Sequence, residues 1–147
     1  MLVVCLSIPR HGVGGYRGGE NMKLIAIAMT GLCLTCHAAP PQSFYNALWR
    51  VETGGRKGNV IGDGGRALGP YQIHRAYWQD SRLPGSYGMV TNEVYARRVV
   101  AAYLMRYQPK AFATGDLETL ARTHNGGPSG ATKAATLPYW RKVKAQL

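Results

Sequence analysis

The chain has 147 residues, with 18 Lys and Arg against 7 Asp and Glu, enough length for one compact core but not for two. Its cysteines, Cys5, Cys33 and Cys36, all fall before residue 39, so residues 39–147 can form neither a disulfide nor a thiolate metal site. In that part 15 basic residues face 6 acidic ones, a field that attracts polyanions; lacking the interleaved basic and aromatic residues of a nucleic-acid module, it points to anionic wall polymers instead of nucleic acid.

Residues 1–21, "MLVVCLSIPRHGVGGYRGGEN", show neither periodicity nor the pattern of a secretory leader, which suggests that translation starts at Met22. From there Met22-Lys23, the apolar "LIAIAMTGLCL" and "TCHAAPPQ" read as the charged start, hydrophobic centre and small-residue cleavage region of a signal peptide over 22–38, cut after Ala38. The apolar centre is short for a membrane span, and Pro40 and Pro41 stop it from continuing as a helix. Lipid attachment at Cys36 fits poorly with Thr35 before it. The expected product is an exported domain, residues 39–147, periplasmic or secreted.

A first helix is predicted over 42–52, because Phe44, Leu48 and Val51 recur at i, i+4 and i+7. Tyr45, Trp49 and Glu52 form a parallel stripe. This places Glu52 over two aromatics at the negative end of the helix dipole, a setting that favours a protonated carboxyl and so suits a general acid. Thr53-Gly54-Gly55 ends the helix.

Next comes "GDGGRALGPYQI", residues 62–73. Glycines 62, 64 and 65 are expected to supply the positive φ of a tight turn that presents Asp63 at its tip; alone, such an acid is ordinary turn chemistry. "RALGPYQI" reads as short and extended, and "HRAYWQD" as a helical turn. Thr91 or Asn92 can cap a helix through about Tyr107, with Val94, Ala101, Ala102 and Met105 on its apolar face. Asp116 can cap another, on which Leu117, Leu120, Ala121 and His124 share a face before Gly126-Gly127. Thr136 with Pro138 starts a last, basic helix.

The order and spacing of Glu52-Thr-Gly-Gly, "GDGGRALG", "GPYQI", "YWQD", "MRY", "THNGGPSG" and "TLPYW", from about Leu48 to Val143, closely resembles the invertebrate-type lysozymes, the destabilase family. The resemblance implies a mostly helical, lysozyme-like α+β fold with a small β element after the first helix. It implies a cofactor-free muramidase that hydrolyses the β-1,4 bond between N-acetylmuramic acid and N-acetylglucosamine in peptidoglycan. It matches Glu52 to the family's acid and, across a loop one residue shorter, Asp63 to its aspartate as nucleophile or stabiliser. Tyr71, Gln72, His74, Tyr77, His124 and Asn125 match the sugar-binding cleft. Leu68, Ser81 and Ala131 stand where that family has cysteines, so stability must come from packing, as in a bacterial or phage-type relative.

Two carboxylates in unlike surroundings are what glycoside hydrolysis needs: one protonated to serve the leaving oxygen, one ionised to face the oxocarbenium-like centre. A lytic transglycosylase, which shares elements such as Gly69-Pro-Tyr-Gln72 and Asn125-Gly-Gly-Pro128, would use Glu52 alone, so Asp63 separates the two readings. A non-catalytic basic wall-binding module would need neither acid.

Overall fold

The computed structural model describes residues 39–147, and the expectations for residues 1–21 and 22–38 lie outside them. Helix α1 (Gln42–Thr53) buries Phe44, Ala47 and Leu48 completely, with Val51 partly covered at the margin. It stops at Gly54, whose left-handed backbone lets its N–H donate to the Arg50 carbonyl at 2.9 Å.

Three two-residue strands follow, β1 (Ile61–Gly62), β2 (Ala67–Leu68) and β3 (Ile73–His74), antiparallel and in that order. Gly62 pairs with Ala67, and Ala67 with His74. The register therefore brings the loop after Gly62 and the chain entering helix α2 (Arg75–Ser81) to the same end of the sheet. The polypeptide thus delivers Asp63 beside His74, eleven residues away.

Helix α3 (Glu93–Tyr107) is capped by Asn92, whose Oδ1 accepts from Tyr95 N–H at 3.1 Å. Its buried face differs from the expected one. Tyr95, Ala96, Val99, Val100, Tyr103 and Leu104 are buried, whereas Val94 and Met105 are 59% and 54% exposed. The expected stripe is broken at its i+4 position by Arg98; the observed one repeats without a gap along the whole helix and carries two tyrosines.

A further helix, α4 (Pro109–Thr114), was not anticipated, although Pro109 at its start and Gly115 just past its end are the expected punctuation. Helix α5 (Leu117–Gly126) is capped as expected: Asp116 Oδ1 accepts from Thr119 N–H at 3.1 Å, and Leu120, Ala121 and His124 are buried. Helix α6 (Leu137–Lys144) has Pro138 in its first turn. Thr136 does not cap it; its hydroxyl bonds the Gly130 carbonyl at 2.8 Å and Arg122 Nε at 3.0 Å instead.

The core joins α1, α3, α5 and the residues around β3 through Phe44, Leu48, Tyr71, Ile73, Val99, Leu104 and Leu120. Helix α6 packs on both α1 and α5, which matters for the site. The architecture is the mostly helical α+β arrangement with a small sheet that the sequence leads one to expect. Among the described residues no helix is long and apolar enough to cross a membrane.

Candidate active site

Glu52, Asp63, Gln72, His74, Tyr77, His124 and Asn125 line one open cleft of about 420 Å³, joined by Ala67 and Gly127. Tyr71 is not among them. It is fully buried in the core, its hydroxyl has no hydrogen-bond partner among the described residues, and burial pushes its pKa up to about 12. The expectation that it contacts sugar is corrected by the turn that precedes β3: Gln72 N–H closes it onto the Gly69 carbonyl at 3.1 Å and Gln72 takes a left-handed backbone (φ 46°), so Tyr71 stays in the core with Ile73 while Gln72 lines the cleft.

Gln72 has a structural task as well. Its side-chain amide donates to the carbonyls of Gly69 at 2.9 Å and Val60 at 3.3 Å, tying the start of the sheet to its return. Gly62 makes room for that amide, since a Cβ there would collide with Gln72 Oε1. The expected positive φ at Gly62 is thus absent: its backbone is extended, and the left-handed positions in this turn are Asp63 (φ 47°), Gly64 and Gly65. Asp tolerates that conformation better than most residues with a side chain.

At the end of α1, the Glu52 side chain is only 19% exposed. Its Oε1 accepts from the Tyr139 hydroxyl at 2.6 Å and lies 3.5 Å from His124 Nε2. His124, on α5 with a side chain 4% exposed, has its Nδ1 3.0 Å from the Tyr77 hydroxyl. Tyr77 in turn stacks on Tyr103 with ring centroids 3.6 Å apart. Burial first, and then the charge and hydrogen bond of Glu52, hold the Tyr139 phenol well above its ordinary pKa. Tyr77 is raised too, by burial, then Tyr103 and Glu52. Both phenols therefore keep their protons at neutral pH, and the His124 ring lies between the Tyr77 hydroxyl and Glu52.

The aromatic that grips Glu52 is not one of those expected from the helix. Trp49 turns to the following loop, its indole N–H donating to the Arg56 carbonyl at 2.6 Å, with Lys57 over its ring. Tyr45 lies in the core, edge-on to Phe44. Tyr139 was missed among the candidates because it comes 87 residues after Glu52; the only sequence sign of it is its place in "TLPYW".

Asp63 has the opposite setting. Its side chain is 44% exposed, with Arg66 Nη2 at 2.7 Å and His74 Nε2 at 3.3 Å. Arg66 Nε also donates to the Asp63 carbonyl at 3.1 Å, bracing the left-handed turn. The cleft thus has a sheltered carboxyl held by a neutral phenol on one side and a solvent-exposed carboxyl paired with Arg66, beside His74, on the other. Among the described residues no group of three or more His, Cys, Asp or Glu side chains converges as a metal site would require.

A family model described as Destabilase matches residues 42–146. The lysozyme of Ostrea edulis is 35% identical over 130 residues, covering 86% of this chain and 87% of its own. Lysozyme 1 of Crassostrea virginica is 40% identical over 82 residues, covering 54% of this chain and 45% of its own, so the chain spans under half of that relative's length. The crystal structure of Tapes japonica lysozyme superposes with a TM-score of 0.61 at 30% identity, covering 73% of this chain and 93% of that one. With the family match running from the first helix to the last, this chain belongs to the destabilase family of invertebrate-type lysozymes.

Proposed function

We propose that the protein is an exported glycoside hydrolase, a muramidase that cleaves the β-1,4 bond between N-acetylmuramic acid and N-acetylglucosamine of peptidoglycan. The observation that carries this reading is the pair of carboxyl groups facing one cleft from unlike surroundings. Glu52 acts as general acid and delivers its proton to the leaving oxygen as the glycosidic bond breaks. Asp63, paired with Arg66 and beside His74, faces the oxocarbenium-like carbon and stabilises or traps it; water then completes the hydrolysis. Gln72, His74, Tyr77, His124 and Asn125 border the sugar, and the lysozyme names of the relatives support the same substrate class.

The basic surface suits a polymer that carries carboxylates and phosphates. Digestion of purified peptidoglycan followed by mass spectrometry tests the proposal. Muropeptides with reducing muramic ends are expected. Anhydromuramyl ends would replace it with a lytic transglycosylase using Glu52 alone, and binding without any cleavage would replace it with a wall-binding module.

A further inference from the structure

His74 lines a second hollow besides the cleft, of about 360 Å³, shared with Gly65, Arg66, Arg75, Ala76 and Tyr87. Every charged or titratable group in its wall other than the Tyr87 phenol is basic. The Arg75 guanidinium lies over the Tyr87 ring, 4.7 Å from its centroid. That ring is itself fixed, its hydroxyl bonded to the carbonyls of Ile73 at 2.7 Å and Arg66 at 3.0 Å. Arg75 makes no ion pair among the described residues, and Arg66 commits Nε and Nη2 to Asp63, which leaves its Nη1 on offer. Asp63 already pairs with Arg66 and His74 beside this hollow, so the positive groups left for a bound anion are the Arg75 guanidinium and Arg66 Nη1, whose mutual repulsion such an anion relieves. Stacking on a pinned aromatic restricts Arg75 beforehand, so less freedom is lost on binding.

We propose that this hollow is an anion subsite that continues the glycan cleft past His74. It takes a carboxylate or phosphate hung as a substituent from the sugar chain, and so favours substituted strands over neutral ones. This deepens the muramidase reading and rests on it. Two sources carry the required chemistry, the carboxylates of a stem peptide and a phosphate on the muramoyl 6-hydroxyl.

Calorimetric binding to the full domain carrying Glu52→Gln, so that ligands survive, tests the subsite with three soluble probes. These are a neutral N-acetylglucosamine oligomer, glycan fragments bearing stem peptides without phosphate, and fragments bearing 6-phosphate without peptides. Adding Arg75→Gln is expected to weaken at least one charged probe by about tenfold and to change the neutral oligomer by less than about twofold. Arg75→Lys should restore part of the loss, and the exposed Lys110→Gln should leave all three probes unchanged. The probe that responds identifies the source. An equal loss on all three probes, no loss, no binding of either charged probe, or the same loss from Lys110→Gln overturns the subsite. A wild-type protein that cleaves no peptidoglycan while the charged-probe difference persists overturns the muramidase reading and leaves the subsite standing.

Discussion

The two carboxyl groups of the cleft are held by different means. Glu52 is gripped from afar, by Tyr139 on α6 and His124 on α5, in a wall where few atoms reach water. Asp63 is held by near neighbours, Arg66 three residues on and His74 across the sheet, on an exposed left-handed turn. A sheltered acid with a neutral donor suits the proposed proton delivery, and an exposed acid paired with a guanidinium suits the proposed stabilisation of a developing cation. Both groups being simple carboxyls, it is environment and not residue type that distinguishes them, and the roles proposed for them rest on that difference.

Removing the sheltered member should break this contrast most severely. Glu52→Gln is expected to lower peptidoglycan hydrolysis by about a thousandfold or more, within the range for loss of a general acid, while the thermal midpoint changes little. Asp63→Asn should cost less, about a hundredfold, as the charge facing the developing cation is lost but the proton donor remains. Turnover rates on one defined substrate rank the two. If Asp63→Asn keeps nearly full activity, the division of labour is wrong.

Tyr139→Phe sharpens the contrast without touching either acid. Losing the hydrogen bond that the Tyr139 hydroxyl donates to Glu52 should reduce kcat by about tenfold with KM within about twofold, the result expected of a residue that orients Glu52 without binding the chain of sugars. A matched rise in KM would instead make it a binding residue.

The smallest effect belongs to Tyr71, which the structure moves from the cleft to the core. Its buried hydroxyl has no partner among the described residues, so Tyr71→Phe should alter stability at pH 7 by no more than about 1 kcal/mol and leave hydrolysis unchanged. The pH dependence has a definite sign. With the folded pKa raised to about 12 from 10.0, the folded state holds this proton more tightly than the unfolded chain, so stability is complete below pH 10 and falls as pH climbs toward 12. Thermal melts across that window should show Tyr71→Phe losing less than the wild type.

Much of the site could be read from the sequence because its signals are local. Asp116 and Asn92 cap their helices through bonds to backbone three residues away, and Gly54 ends α1 within one turn. Glu52 and Asp63 stood out by residue type and by an order of motifs that matched a family. Other features were hidden in plain view: α3 offered two apolar stripes, and the unbroken one with Tyr95, Val99 and Tyr103 faces inward, while Val94 and Met105, on the stripe that Arg98 interrupts, face out.

The sequence by itself determined the helices with clear caps and the small β element, since these depend on hydrogen bonds and periodicity within a few residues, and its order of motifs, through the resemblance to a family, singled out the two acids. Only the tertiary structure decided that Tyr71 is core and Gln72 cleft, that Gly62 is extended and leaves room for the Gln72 amide, and that Tyr139 holds Glu52 across 87 positions. The physical reason is range. Capping and turn preferences act along the chain, whereas burial and the pairing of polar groups depend on which distant surfaces meet when α6 closes on α1 and α5.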